Sequence, residues 1–585
     1  MFSVLTKLSW FFKENWQRYA IAIGFLTIVN VLEVIPPKLI GISIDSIHQG
    51  TLTRESLIQL LCIFGLLIIV IYFMSYVWLN KLFGGAFLLE RTYRSKMMKH
   101  LFKMTPTFFE KNRTGDLMAR ATNDLKAVSL TAGFGILTLV DSTLFLVIIL
   151  FTMGILVSWK LTLAALLPLP IMAILMKIYG KAIHERFTKA QDAFGDMNDQ
   201  VLESIAGVRV VRAYVQEGPD EKRFKDVTDD VLHKNIAVAK IDALFEPTIK
   251  ILVGLSYLIG LGYGAYLVFQ NEITLGELVA FNIYLGMLIW PMFAIGELIN
   301  IMQRGNASLD RVTETLTYEP DVQEGNDLVA ISQPETITFS NVTFRYPSSQ
   351  VDNLKEIHFT LEPGQTLGVV GKTGSGKTTL LKQLLREYPI GKGTITVSGI
   401  SLEKIDMRSL KSWIGYVPQE QILFSKTVKE NIMFGRETAS EHELYRVLEL
   451  SSFRNDIATL PKGLETLVGE KGVSLSGGQK QRISIARALL VNPDILILDD
   501  AMSAVDGKTE AKIIENIRRE RGGKTTFIST HRLSAVKHAD WILVLEDGQV
   551  IEEGTHEQLL NNHGWYKEQF EHQLLDDRTN EGQVN

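Results

Sequence analysis

Gly371-Lys372-Thr373-Gly374-Ser375-Gly376-Lys377-Thr378 follows a strand-like run over 366–370 and precedes a helical one over 379–385. It fits G-x-x-x-x-G-K-[ST], a P-loop, in the setting that pattern requires. The glycines let the backbone turn tightly and present N–H groups to phosphate oxygens, with a helix N-terminus behind them. Lys377 is placed to reach β/γ-phosphates, and the Thr378 hydroxyl to ligate Mg²⁺. So short a motif also fits a plain Gly-rich turn, so the surrounding chain must decide.

At 585 residues the chain is too long for one ordinary domain. Apolar residues make up 46%, and mean hydropathy is +0.13. The long uncharged apolar runs all lie before about residue 305. A net charge of −5 argues against a bulk nucleic-acid binder. The one cysteine, Cys62, excludes an intrachain disulfide framework and a Cys-clustered metal site, and is expected simply to pack. No A-x-A-like site follows a short apolar core at the N-terminus, so no removable signal peptide is expected.

A membrane helix needs about 20 predominantly apolar residues. Six spans are expected, near 19–41, 57–79, 131–158, 161–180, 246–269 and 275–301. Only Trp159-Lys160 separates the third from the fourth, and Asn271-Glu272-Ile273-Thr274 joins the fifth to the sixth. Residues 81–129 carry ten Lys/Arg, and a charged connection follows the fourth span. The positive-inside rule puts both long connections and the N-terminus in the cytoplasm of a multi-pass plasma-membrane protein. Residues 2–16 read as an amphipathic helix on the inner interface, in contact with membrane lipids. The long connections read as helical hairpins with tips at 108–116 and 207–214, either plain helix ends or short contact helices. Ionisable residues inside spans are candidates for a cargo path. Here they are Glu33, Asp141, Glu277 and Glu297, with Asp141 and Glu297 the better placed for cationic cargo.

Residues 306–335 read as a linker, 336–575 as an α/β domain, and 576–585 as a polar tail. Ile495-Leu496-Ile497-Leu498-Asp499 is an apolar strand ending in a carboxylate, the Walker B form that supplies a Mg²⁺ partner. Between the Walker elements stand Leu475, Ser476, Gly477, Gly478 and Gln479, opening a helix and so offering a second anion site. One P-loop already fills one phosphate need, so the simplest use of the other is the ATP of a second chain. Tyr346, 25 residues before the P-loop, either stacks on a base or merely ends a strand. Asp547-Gly548 between apolar strands reads as a hairpin turn.

Nearly the whole chain resembles a half-transporter of the ATP-binding cassette exporter superfamily, with Leu-Ser-Gly-Gly-Gln the most specific feature. The resemblance implies a multidomain membrane protein: a six-helix transmembrane domain of type I exporter form (1–305) fused to an α/β P-loop ATPase cassette. It implies ATP and Mg²⁺ as ligands, with Tyr346 stacking on adenine and residues Gly371 to Thr378, with Thr379, cradling phosphate. It makes Gln419 the Q-loop contact to Mg²⁺, Ser503-Ala504-Val505-Asp506 the D-loop and His531 the switch histidine. Thr466-Leu467-Val468-Gly469-Glu470-Lys471-Gly472 resembles a segment that meets the cytoplasmic hairpins, whose tips become coupling helices. Cargo would be amphipathic, often cationic small molecules; a lipid or peptide exporter, or an ATP-gated regulatory subunit, would share the motifs.

One departure stands out. The family usually places Glu after the Walker B aspartate, as the base that polarises the attacking water; here it is Asp500. Its carboxylate falls short by about one C–C bond, roughly 1.5 Å. Misplacement of that size costs on the order of 100-fold. A homodimer would carry two impaired sites, whereas a second, different half-transporter could supply a true Glu. Heterodimeric bacterial multidrug exporters look like this, with this chain resembling the smaller subunit.

Overall fold

Long apolar runs in the first half and short β-rich runs in the second separate the chain into two kinds of structure. The structure, a computed structural model, describes residues 3–325, 327–469 and 475–582. The chain divides into two units, one of Met1–His100 with Gly115–Tyr318, the other of Leu101–Thr114 with Glu319–Asn585.

In the first unit, five helices among the described residues are long and apolar enough to cross a membrane: Trp16–His48, Arg54–Leu101, Thr114–Leu166, Glu217–Phe269 and Leu275–Thr317. The expected span over 161–180 is instead divided at Leu167 between helices Trp159–Leu166 and Pro168–Ala206. Pro168 and Pro170 have no N–H to give the preceding turn, while Leu167 keeps helical dihedrals, so the rod is interrupted rather than ended. The turn expected at Trp159-Lys160 falls one residue earlier. Ser158 is extended (φ −165°, ψ 128°), and its hydroxyl accepts from the Leu161 N–H at 3.4 Å. Phe151 and Trp159 then meet with ring centroids 6.0 Å apart, closer than eight residues of straight helix allow.

The N-terminal amphipathic stretch forms two short helices, Ser3–Lys7 and Ser9–Glu14. Val4, Leu8 and Phe11 are buried in a cluster with Tyr19, Leu309 and Val312, and Lys7 pairs with Asp310. Leu8 and Phe11 of the expected apolar face are thus covered by protein, while Trp16 stays 62% exposed. Cys62, expected to pack, is exposed on helix Arg54–Leu101. Helices Ile35–His48 and Leu275–Met287 cross at two glycines: a Cβ on Gly276 would lie 1.9 Å from the Gly41 carbonyl oxygen. The residues 306–317 placed in the linker continue the last long helix, Ile289–Thr317.

The second unit contains two sheets. β1 (Ile337–Phe344), β2 (Leu354–Leu361), β4 (Lys392–Val397) and β5 (Ile400–Ser401) form an antiparallel sheet in the order β2-β1-β4-β5. A six-stranded sheet has the order β10-β9-β3-β8-β7-β6. Its members are β3 (Thr366–Gly371), β6 (Ile414–Val417), β7 (Ile495–Asp499), β8 (Thr525–Ser529), β9 (Trp541–Glu546) and β10 (Gln549–Gly554). All neighbours in it are parallel except β9 and β10, which Asp547-Gly548 joins with positive φ at both residues, as the hairpin reading requires. Every residue of β7 and β8 is buried, which is why they read as uninterrupted β-type runs. Register sets Val369 beside Ser529 and Asp499 beside Ser529. The carboxyl ends of β3, β7 and β8 thus open side by side, where a parallel sheet binds its ligands.

Candidate nucleotide site

The P-loop leaves β3 at Gly371 and enters helix Lys377–Leu384 at Gly376. Gly371 (φ 148°) passes so close to β9 that a Cβ would meet the Leu545 carbonyl oxygen at 2.1 Å, and Gly376 (φ 104°) is left-handed. Both positions need glycine. Lys377 Nζ donates to the carbonyls of Gly371 (2.8 Å) and Lys372 (2.9 Å) and lies 3.5 Å from His531 Nδ1. Burial pulls the Lys377 pKa down, against the pull of Asp500 and Asp499. Thr373 and Gly374 are exposed on the loop, and the Ser375 hydroxyl is buried without a hydrogen-bond partner among the described residues.

The Thr378 hydroxyl donates to Asp499 Oδ1 at 3.0 Å, and Asp499 is 1% exposed. Burial pushes its carboxyl up, while the hydrogen bond from the Thr378 hydroxyl opposes that. No group of three or more His, Cys, Asp or Glu that could hold a metal exists among the described residues. A hydroxyl beside one carboxylate, without an all-protein cage, fits Mg²⁺, which keeps waters and shares its ligands with substrate phosphates. Gln419 follows β6, the neighbour of β7, but its side chain is exposed and bonds neither Thr378 nor Asp499. Asp500 is left-handed (φ 46°), its N–H donating to the Ser529 carbonyl (2.8 Å) and its carbonyl accepting from the Ser503 hydroxyl (3.1 Å).

Tyr346 hydrogen-bonds Thr379 (3.1 Å) and sits edge-on to Phe344 and Tyr388. Ser476 and Gln479 form a capping box that starts helix Gly477–Leu490, so Gln479 acts here as a helix cap. Leu475 is buried beneath it. A Cβ on Gly478 would sit 2.9 Å from the Ala504 carbonyl oxygen, so the signature glycine permits close approach to the loop 503–506. Asp506 caps the next helix by accepting from the Thr509 N–H (2.9 Å).

Two family models match the chain: the ABC transporter transmembrane region over residues 19–292 and the ABC transporter domain over residues 354–503. The chain is 63% identical over 575 residues to the probable multidrug resistance ABC transporter ATP-binding/permease protein YheI of Bacillus subtilis, covering 98% of each. The chain belongs to the ABC transporter family. It is 42% identical over 573 residues to the multidrug resistance-like ATP-binding protein MdlA of Escherichia coli, covering 98% of this chain and 97% of that one. Among solved structures, a bacterial Atm1-family ABC exporter with ATP bound superposes with a TM-score of 0.78 at 26% identity, covering 95% of this chain and 99% of that one. This ABC exporter is therefore an ATP-binding ATPase coupled to transport, integral to a membrane.

Motif reading missed the residues that hold those motifs in place. Gln481 accepts from the Ala504 N–H (2.9 Å) and donates to Ser503 (3.0 Å). Asp456 takes both guanidinium arms of Arg482 (2.9 and 2.8 Å). The first hairpin tip forms helix Pro106–Lys111, whose Glu110 accepts from Tyr388 and whose Thr107, with Thr105 before it, donates to Asp321. The second forms helix Val208–Ala213, with no buried residue. Glu470, Lys471 and Gly472 lie outside the described residues.

Of the four membrane acids, Glu277 is a capping-box residue, accepting from the Thr274 N–H at 2.8 Å. Asp141 is 6% exposed, with its oxygens accepting from Asn30 (3.3 Å) and Trp290 (2.8 Å). Glu33 is half-buried and Glu297 exposed.

Proposed function

We propose that this chain is one half of a heterodimeric exporter of amphipathic, often cationic small molecules, with its cassette and N-terminus in the cytoplasm. The names of the relatives, multidrug resistance transporters across nearly their full length, support the cargo class. ATP is clasped between this cassette and its partner's. Lys377 and the P-loop N–H groups hold its phosphates, Tyr346 its base, and His531 faces the γ-phosphate. Thr378 and Asp499, with Gln419, are the residues that would hold Mg²⁺, which neutralises phosphate charge when bound. Helices Pro106–Lys111 and Val208–Ala213 pass cassette closure to the membrane unit.

The observation that carries the heterodimer is the backbone of Asp500. Ser529 holds its N–H and Ser503 its carbonyl, so the main chain has no slack with which to advance a shortened carboxylate. This chain then contributes a weak hydrolytic site and a sound signature, Leu475 to Gln479, to a partner whose own site carries the longer base. A tagged copy purified from its native membrane is expected to bring down a second, different half-transporter at one to one. Recovery of this chain alone as a homodimer with cargo-stimulated ATPase would refute the pairing.

A further inference from the structure

Helix Trp565–Gly582 is anchored by Tyr566, which is buried in the cassette core, with Phe570 packed against that core. One turn further on, Gln573 reaches the loop after β8. Its Nε2 donates to the His531 carbonyl (2.8 Å) and its Oε1 accepts from the Leu533 N–H (2.9 Å). A side-chain amide carries a donor and an acceptor on one rigid plane, so a single group satisfies both sides of Arg532. Arg532 is held from the opposite direction: its guanidinium donates to the Val505 carbonyl (2.8 Å) and to Glu510 (2.7 Å). Three consecutive residues are thus fixed, the outer two by the C-terminal helix and the middle one by Val505 of the loop 503–506 and Glu510 of the helix after it.

We propose that Gln573 is a positioning residue for His531, so that the C-terminal helix governs hydrolysis through the switch loop. The inference rests on the reading of His531 as a γ-phosphate contact. Gln573 touches no reacting atom; it sets the backbone from which the imidazole projects. An imidazole displaced by about 1 Å costs on the order of 100-fold, so loss of the clamp lowers turnover without weakening nucleotide capture at Lys377.

The test uses the purified full-length chain and radiolabelled phosphate release, with Gln573→Leu, Gln573→Glu, His531→Ala and the double variant. Expected is a fall in kcat on the order of 10-fold or more for Gln573→Leu, with KM for ATP within about twofold. Gln573→Glu, which keeps the Leu533 contact and loses the donor to His531, falls in between. The double variant is no slower than His531→Ala, because both act through one group. His572→Ala, on the exposed side of the same helix, leaves kcat unchanged. Unaltered kcat for Gln573→Leu beside an inactive His531→Ala overturns the proposal alone. Multiplicative losses in the double variant also overturn it. Full activity of His531→Ala sinks the reading of the switch histidine together with the proposal.

Discussion

Tyr388 donates its phenol hydrogen to Glu110 over 2.5 Å, and the same ring meets that of Tyr346 edge-on with centroids 5.0 Å apart. A tyrosine proposed to hold the base is thereby one contact removed from the helix Pro106–Lys111. Burial, then the Glu110 carboxylate, pushes the Tyr388 phenol up, so it stays a donor at every working pH. Tyr388→Phe keeps the ring contact and deletes the hydrogen bond. Because Glu110 is exposed, about 1 kcal/mol is expected, the worth of an ordinary hydrogen bond rather than of a buried one to a charged group. In reconstituted vesicles, cargo moved per ATP hydrolysed should fall about fivefold while ATPase alone changes little. Equal loss of both would place Tyr388 in the hydrolytic site instead.

Asp499 sets up a conflict between stability and function. Its folded pKa is raised above the ordinary 3.8, chiefly by burial. Its contribution to stability is therefore full below the ordinary value and is lost as pH rises through the raised one. At neutral pH the buried carboxylate is a net cost. Without nucleotide or Mg²⁺, Asp499→Asn should raise the cassette's Tm at pH 7 by on the order of 2 °C. The gain should vanish near pH 4, and ATPase should be lost. Scanning calorimetry across pH reads this; a Tm lowered at pH 7 would contradict it.

Asp141 is held by two helices, Asn30 from one and Trp290 from another. Asparagine has one acceptor oxygen where aspartate has two, so Asp141→Asn loses one contact and leaves two donors facing each other. Leaving a buried donor unpaired costs about 1–3 kcal/mol. Efflux of cationic and neutral cargo should therefore fall together, alongside a lower Tm. Loss confined to cationic cargo would instead place Asp141 on the transport path.

What the sequence showed was whatever is contiguous along it. The P-loop, the signature and the apolar strand before Asp499 each occupy fewer than ten neighbouring residues, and their chemistry is local. The supports of those motifs are not local. Gln573 lies 42 residues from His531, Arg532 22 from Glu510, and Tyr388 278 from Glu110. No spacing rule connects such pairs. The N-terminal stretch shows another limit: helical periodicity marks apolar positions such as Leu8 and Phe11 but is blind to whether lipid or protein covers them. The break at Leu167 was missed because hydropathy averages over Pro168 and Pro170, which interrupt the hydrogen-bond ladder of the fourth span without ending it.

Asp500 decides the account. Its left-handed backbone suits Asp, which is enriched in that region, better than Glu. Asp500→Glu should thus be slightly less stable yet faster, since it restores the reach of the carboxylate. The direct measurement is ATP turnover by the purified full-length chain without a partner, wild type against Asp500→Glu. The account predicts slow wild-type turnover and an increase on the order of 10- to 100-fold in the variant. Brisk wild-type turnover that Asp500→Glu leaves unchanged would contradict it.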